Sequence, residues 1–277
     1  MTRKSIKNNI IISGATSYLG RRLIKKIKNK SFNFFYLSRK ENSANSFTIS
    51  KLDKIKLNDV YCFIHLATNY NNSRNKESFH INYEIPRKIL KKYKKKLVYF
   101  INFDTVLNKN VNYYSFTKKK LKKESKKICL ENSINFLNFR IHYLYGPKIQ
   151  KKNFIRLIAD SLKNKVSLNL TDCTQKRDFI FIDDAVHLIS EIIKINILNK
   201  KKFKFLDIEI GSGKSYSLKK IINLITHNLK IKNTFNFGIL KKRNFENKNL
   251  CSKNIYIKKY FNHKFINIKE GINRTIN

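Results

Sequence analysis

The chain has 277 residues, enough to bury one large core or a large domain with a smaller one attached. Its hydrophobic content of 42% suits a globular protein, and its uninterrupted apolar runs fall far short of the ~20 residues needed to cross a bilayer, so no membrane association is expected. Sixty Lys and Arg against 18 Asp and Glu give a formal charge of +42. The lysines are spread along the whole chain rather than gathered in a stripe with interleaved aromatics, so no specific nucleic-acid partner is expected.

Abundant Lys, Asn and Ile with scarce Gly and Pro are what an AT-rich genome encodes. The basic N-terminus meets only Ile10-Ile11-Ile12, too short for a signal-peptide core, which makes the cytoplasm the expected location. Cys62, Cys129, Cys173 and Cys251 form no CxxC pair, so neither a metal site nor a disulfide framework is expected.

Only seven glycines are present, and five lie in three short places: Gly14 with Gly20, Gly146, and Gly211 with Gly213. Ile10-Ile11-Ile12-Ser13 predicts a buried parallel strand. Gly14-Ala15-Thr16-Ser17-Tyr18-Leu19-Gly20 follows, and residues 21–30 carry Leu23, Ile24 and Ile27 at helical spacing. Strand, glycine turn and helix in that order place backbone N–H groups at a helix N-terminus, where they can bind a pyrophosphate. Ser17 stands where the usual GxxGxxG loop has its middle glycine, and it is small enough to leave room for phosphates.

A second strand over 32–37 ends in Ser38-Arg39-Lys40. Folds that prefer NAD place an acid near this point for the ribose 2′-hydroxyl. Here Ser38 and Arg39 suit a 2′-phosphate, which makes NADP the expected cofactor and NAD the second choice. Residues 59–68 predict another buried strand, closing on Leu66-Ala67, with His65 read as structural. A helix over 77–96 with Asn82 near its start and a strand over 97–103 complete an alternation that defines an α/β doubly wound parallel sheet.

Tyr113-Tyr114-Ser115-Phe116-Thr117-Lys118 opens a helix that runs to about Glu131. Tyr114 and Lys118, at i and i+4, share a helix face. An ammonium beside a phenol favours the phenolate and brings a pKa near 10 toward a working range. Such a pair can give a proton to, or take one from, a carbonyl or alcohol oxygen.

Five ordered motifs accompany it. They are Leu66-Ala67, Asn82, RIHYLYGP over 140–147, RDFIFIDD over 177–184, and the Gly211–Gly213 turn followed by Ser217-Leu218. In these the chain resembles the extended short-chain dehydrogenase/reductase family over nearly its whole length. Residues 100–107 and 112–115 resemble a group within it, the CDP-abequose and CDP-paratose synthases, which reduce a 4-keto group on a CDP-linked deoxysugar with NADPH.

The resemblance implies a Rossmann domain from 1–145 and about 177–210, and a smaller substrate-binding cap from about 146–176 and 211–277. It implies a nucleotide-sugar substrate, catalysis by Tyr114 and Lys118, and substrate contacts from Arg177, which would grip the phosphates, and from Asn82. It also implies a homodimer through a helix pair that includes the Tyr114 helix. Cofactor contacts fall to Gly14, Thr16, Ser17, Tyr18, Leu19, Gly20, Ser38, Arg39, Leu66, Ala67, Tyr114 and Lys118.

One position departs from the family. Three residues before Val106 its members carry a Ser or Thr that hydrogen-bonds the reacting oxygen, and here that residue is Phe103. Thr105, two residues on, is expected to share the face of Phe103 if the strand continues, and to substitute for the missing hydroxyl. The alternatives are a 4-epimerase of the same fold and a degenerate member that binds NADP without catalysis.

Overall fold

The computed structural model describes residues 8–38, 45–48, 57, 59–71 and 73–277. The chain divides into two compact units. One comprises Met1–Thr105, Asn112–Arg140 and Ile189–Ile208, and the other Val106–Val111, Ile141–Leu188 and Glu209–Asn277.

The first unit is built on a seven-stranded sheet. Its early elements are β1 (Asn8–Ser13), α1 (Tyr18–Ile27), β2 (Phe32–Ser38), β3 (Ser46–Thr48) and β4 (Cys62–His65). After them come α2 (Lys76–Phe79), α3 (Ile85–Tyr93), β5 (Tyr99–Thr105), α4 (Tyr113–Glu131) and β6 (Asn135–Ile141). With β7 (Tyr143–Tyr145), α5 (Phe154–Lys163), β8 (Lys176–Phe181), α6 (Ile182–Ile193) and β9 (Phe205–Ile210) following in the chain, the sheet order is β3-β2-β1-β4-β5-β6-β9.

The pairings β1–β2, β1–β4, β2–β3 and β4–β5 are all parallel, as expected of strands joined by helical crossovers. The strand order reverses at β1, which lies between β2 and β4. In open α/β sheets the crevice for a ligand lies beyond the carboxyl ends of the strands at such a point.

One face of the sheet closes on α3 and α4 through a core that includes Ile11, Phe63, Ile89, Phe100, Ile128 and Phe136. Phe63 stacks on Phe100 at 5.3 Å and Phe100 on Phe136 at 5.1 Å, fixing which residues of β4, β5 and β6 share that face.

The helix expected over 77–96 is interrupted. Residues His80–Glu84 form a π-helical turn between α2 and α3, and the Ile85 N–H reaches back five residues to the His80 carbonyl. The cause is local. Pro86 lies in the first turn of α3 and has no N–H with which to pair the Asn82 carbonyl four residues back. The strand expected over 59–68 is likewise shorter, Cys62–His65.

In the second unit β8 lies between β10 (Ser215–Ser217) and β11 (Asn249–Leu250), and β7 also pairs with it. α5 packs with α7 (Leu218–Leu229) and α9 (Ile268–Ile276); α8 (Ile255–Tyr260) lies between them in sequence. The buried Asp178 carboxylate organises the glycine turn, accepting from Ser212 N at 2.8 Å, Gly213 N at 2.9 Å and Ser252 N at 3.0 Å.

Asp183 and Asp184 lie inside the first turn of α6. There Asp184 accepts from His263 at 2.9 Å and from Ile266 N at 3.0 Å, and Asp183 from Arg274 at 2.9 Å. All four cysteines are free thiols, three of them buried. Among the described residues no helix is long and apolar enough to cross a membrane, and no three His, Cys, Asp or Glu gather as a metal site requires.

Candidate functional site

The glycine loop follows β1 directly. Gly14 has φ +77°, and a Cβ there would lie 2.4 Å from Ala67 N and 2.6 Å from Leu66 C. Only glycine permits both the backbone angle and the close passage of the Leu66-Ala67 segment leaving β4. A Cβ on Gly20 would meet the Gly14 carbonyl at 2.4 Å. The loop, the end of β4 and the start of α1 are therefore pressed into one cradle.

Ser17 shows why the middle glycine could be lost. Its φ is −67°, so no glycine conformation is needed, and it caps α1 by accepting from Gly20 N at 3.0 Å. Thr16 is exposed, Leu19 is half-buried, and the Tyr18 ring carries the Arg22 guanidinium at 4.2 Å. Ser38 ends β2, half-buried, with its hydroxyl 3.4 Å from that of Ser46. Arg39 lies outside the described residues.

The residues of this cradle fit the dinucleotide their order predicts. A helix that starts directly after a glycine turn, a turn in which any Cβ would clash, and a buried cation whose Nζ has no hydrogen-bond partner share the first unit.

That cation is Lys118. Asn112 caps α4 in a reciprocal box with Ser115, so the helix starts immediately before Tyr113 and Tyr114. Tyr114 is half-buried, its ring 5.1 Å from that of Tyr70. One turn on, Lys118 is fully buried and its Nζ has no hydrogen-bond partner. Burial pushes its pKa from 10.5 down to about 8, against the pull of Asp104 and with a further push from Lys119.

Sequence reasoning missed the surroundings of this ammonium. The register places Ser13 opposite His65 and His65 opposite Asn102, each at or near the carboxyl end of its strand. His65 Nδ1 lies 2.7 Å from the Ser13 hydroxyl. Asn102 donates to Asn138 Oδ1 at 2.7 Å, and Asn138 donates to Asp207 at 2.8 Å. Asp104 accepts from Lys119 Nζ at 2.9 Å and from Thr105 N at 2.7 Å.

Burial, then the charge of Lys118, holds the His65 imidazole well below its usual range, so the ring is neutral. The available signal was a polar residue following two or three apolar ones in each of three strands. It becomes meaningful only once the strands are aligned.

β5 continues to Thr105, so Thr105 and Phe103 share a face. Phe103 is buried against Phe139, with ring centroids 5.4 Å apart, and offers no hydrogen to an oxygen. The Thr105 carbonyl accepts from Lys119.

The two residues expected at the substrate are held elsewhere. Asn82 is wholly buried in the π-helical turn. It donates to the Asn69 carbonyl at 2.9 Å and to the Thr117 hydroxyl at 3.1 Å, and accepts from Asn69 N at 2.8 Å. It has no exposed surface. It clasps the loop after β4 to the residue before Lys118.

Arg177 is buried in the second unit. It donates to Tyr143 Oη at 3.0 Å, to the Lys176 carbonyl at 2.7 Å and to the Asn247 carbonyl at 3.0 Å, and pairs with Glu246. This is an internal ion pair, and a phosphate contact would require the Glu246 bond to break.

Residues 10–202 match the sequence profile of the NAD dependent epimerase/dehydratase family, and the chain belongs to that family as an NAD-dependent enzyme. It is similar to CDP-abequose synthase of Salmonella muenchen, 26% identical over 87% of each chain. It is 28% identical to CDP-abequose synthase of Salmonella typhimurium (strain LT2), over 87% of this chain and 88% of that one.

Among solved structures it resembles UDP-glucuronic acid 4-epimerase from Bacillus cereus in complex with UDP-glucuronic acid and NAD. The TM-score is 0.79 at 18% identity, covering 97% of this chain and 98% of that one. It also resembles dTDP-glucose 4,6-dehydratase from Bacillus anthracis in complex with NAD, with a TM-score of 0.74 at 14% identity over 97% and 95% of the two chains. Both structural likenesses speak to the Rossmann fold.

Proposed function

We propose that this chain reduces the 4-keto group of a nucleotide-linked deoxysugar, with NADPH as the preferred cofactor. The observation that carries the reading is the buried, unpartnered Lys118 ammonium one helical turn from the Tyr114 phenol, in the unit that also holds the glycine cradle. The similarity to two CDP-abequose synthases supports the substrate class. The absence of an acid at Ser38-Arg39 supports NADP.

A bound nicotinamide supplies the hydride. The rest falls to the chain. Tyr114 holds a proton on Oη and delivers it to the carbonyl oxygen as negative charge develops there. Lys118 stabilises the phenolate left behind. The Gly14–Gly20 turn and the start of α1 receive the pyrophosphate on backbone N–H groups. Thr105 supplies the hydroxyl that Phe103 cannot.

Dehydration is disfavoured. Asp104, the carboxylate nearest the Phe103 position in sequence, is buried and committed to Lys119, Thr105 N and Asn138.

A panel of CDP-, UDP-, GDP- and dTDP-linked 4-keto sugars, followed by NADPH absorbance, tests this reading, with the CDP-linked sugar expected to turn over best. Phe103 favours a second reading, a cofactor-binding protein without catalysis, since one lost donor of this kind costs ~10²–10³ in rate. Turnover abolished by Thr105→Ala and unchanged by Phe103→Thr supports the reductase. No turnover in any variant, with NADPH binding intact, supports the second reading.

A further inference from the structure

Among the described residues of the first unit, the buried side-chain polar atoms without a hydrogen-bond partner include Lys118 Nζ, His65 Nε2 and Asn102 Oδ1, on the adjacent elements α4, β4 and β5. Each belongs to a residue with no exposed surface. His65 and Asn102 are register partners on β4 and β5, and Lys118 is close enough for its charge to act on the imidazole. Lys118 is on α4, which packs on β5, and its neighbour Lys119 reaches Asp104, two positions beyond Asn102 on that strand, at 2.9 Å. We propose that these three atoms bind one internal water, and that through it His65 and Asn102 act as positioning residues that keep Lys118 an ammonium. The proposal gains its catalytic meaning from reading Lys118 as the partner of Tyr114, but the site itself does not depend on that reading.

The donors and acceptors balance. An ammonium has only hydrogens to give, and Asn102 Oδ1 has only lone pairs, because its amide nitrogen already serves Asn138. A water accepts from Lys118 and has two hydrogens left, one for Asn102 Oδ1 and one for His65 Nε2. Buried waters typically make about three such bonds to groups that would otherwise be unsatisfied.

The arrangement requires Nε2 to be the bare nitrogen. The imidazole proton must then sit on Nδ1 and point at the Ser13 hydroxyl oxygen 2.7 Å away. In the sheet order β1-β4-β5, Ser13 flanks His65 on one side and Asn102 on the other. Nδ1 is thus turned to β1, and Nε2 remains for the β5 side.

The opposite tautomer would place a second donor beside the ammonium and leave one acceptor for both. Leaving the cation unserved is the costlier failure, since bonds to a charged group are the stronger ones. The other charges bearing on Lys118 are Asp104 from β5, which favours the ammonium, and Lys119 from its own helix, which opposes it. Tyr114 lies one turn away on the same helix. Asp104 is already shared with Lys119 and Asn138, so the neutral pair is left to hold the Lys118 proton.

Two measurements on the free protein test this without cofactor or substrate. The first is long-range ¹⁵N NMR of the imidazoles, with His65 assigned by its loss in His65→Leu. An Nδ1–H tautomer is expected, and an Nε2–H tautomer would overturn the proposal.

The second is titration of the Lys118 ¹³Cε signal in lysine-labelled protein, assigned by its loss in Lys118→Met. His65→Leu and Asn102→Leu should each lower its midpoint by roughly one pH unit, the size expected for losing a bond to a charged group. His65→Gln, whose amide oxygen can still accept, should recover part of that shift. Midpoints unchanged in folded His65→Leu and Asn102→Leu would equally overturn it. Failure of the substrate panel with both NMR results as expected would reject the reductase and leave the water site standing.

Discussion

Among the described residues two cations are fully buried, and they are treated in opposite ways. In the second unit Arg177 is 1% exposed and donates from all three of its nitrogens to Tyr143, two backbone carbonyls and Glu246. In the first unit Lys118 is 0% exposed and its ammonium has no protein partner. A guanidinium whose fork is filled by fixed acceptors is architecture: it ties β8 to β7 and to the segment before β11. A buried ammonium that no protein atom bonds costs stability, and a fold retains that cost where the charge has a use. Under the proposed function, burial and hydrogen bonding alone distinguish a structural charge from a working one.

The contrast is broken most directly by activity. Tyr114→Phe and Lys118→Met should each lower turnover on the best sugar of the panel by about 10²–10⁴, the usual range for a positioned proton donor. Wild-type turnover should decline as pH rises through about 8, where Lys118 gives up its proton. A pH–rate profile flat to pH 10 would remove Lys118 from the chemistry.

The next largest effect is on stability in the other unit. Arg177→Met leaves Glu246 without its counterion and Tyr143 without its donor. It should cost ~3 kcal/mol by denaturant unfolding, toward the low end for a broken buried pair because the Glu246 side chain is 16% exposed. A loss below about 0.5 kcal/mol would mean that the ion pair does not hold that unit.

What could be read from sequence divides along the same line. The Gly14–Gly20 turn and the Tyr114–Lys118 pair were legible because their logic is local. A strand must leave through a glycine at φ +77° to pass Leu66-Ala67, and i and i+4 share a face of any helix. The partners that give each cation its character are not local.

Glu246 lies 69 residues beyond Arg177, so a motif that assigns Arg177 to a phosphate contains no sign that an acid already occupies it. Ser13 and His65 are 52 residues apart and meet only through strand register. Asn82 was assigned to the substrate by resemblance, and its partners, Asn69 and Thr117, could not be read from that motif. The π-helical turn escaped because Pro86 at a helix start is ordinarily benign. Here the helix had already begun.

A smaller effect sharpens the contrast by reversing its sign. Lys118→Met should stabilise the fold at pH 7 even as it removes activity, because a well-packed apolar group replaces a buried charge that no protein group bonds. The folded-state pKa of about 8 lies below the ordinary 10.5, so the unfolded chain binds the proton more tightly between those values. The penalty is therefore full below pH 8 and fades as pH rises toward 10.5. The fall from 10.5 to 8 sets an upper bound of about 3 kcal/mol, and relaxation around the site should reduce the observed gain to about 1–2 kcal/mol. Unfolding curves for the two proteins at pH 7 and pH 10 would show the gap closing with pH, and a gap independent of pH would mean that lost packing rather than charge explains it.

The smallest effect tests geometry rather than charge. Arg177→Lys keeps a cation beside Glu246 but replaces a planar fork serving four acceptors with a single point that cannot reach them all. The salt bridge can survive while the bonds to the Asn247 and Lys176 carbonyls and to Tyr143 lapse. The loss should be about 1–2 kcal/mol, the net worth of one or two hydrogen bonds, and less than that of Arg177→Met. If Lys at 177 were as damaging as Met, the value of this site would lie in the fork, and charge would contribute nothing. If Lys were harmless, charge alone would suffice, and the four acceptors around Arg177 would no longer distinguish it from Lys118, which has a charge and no protein acceptor.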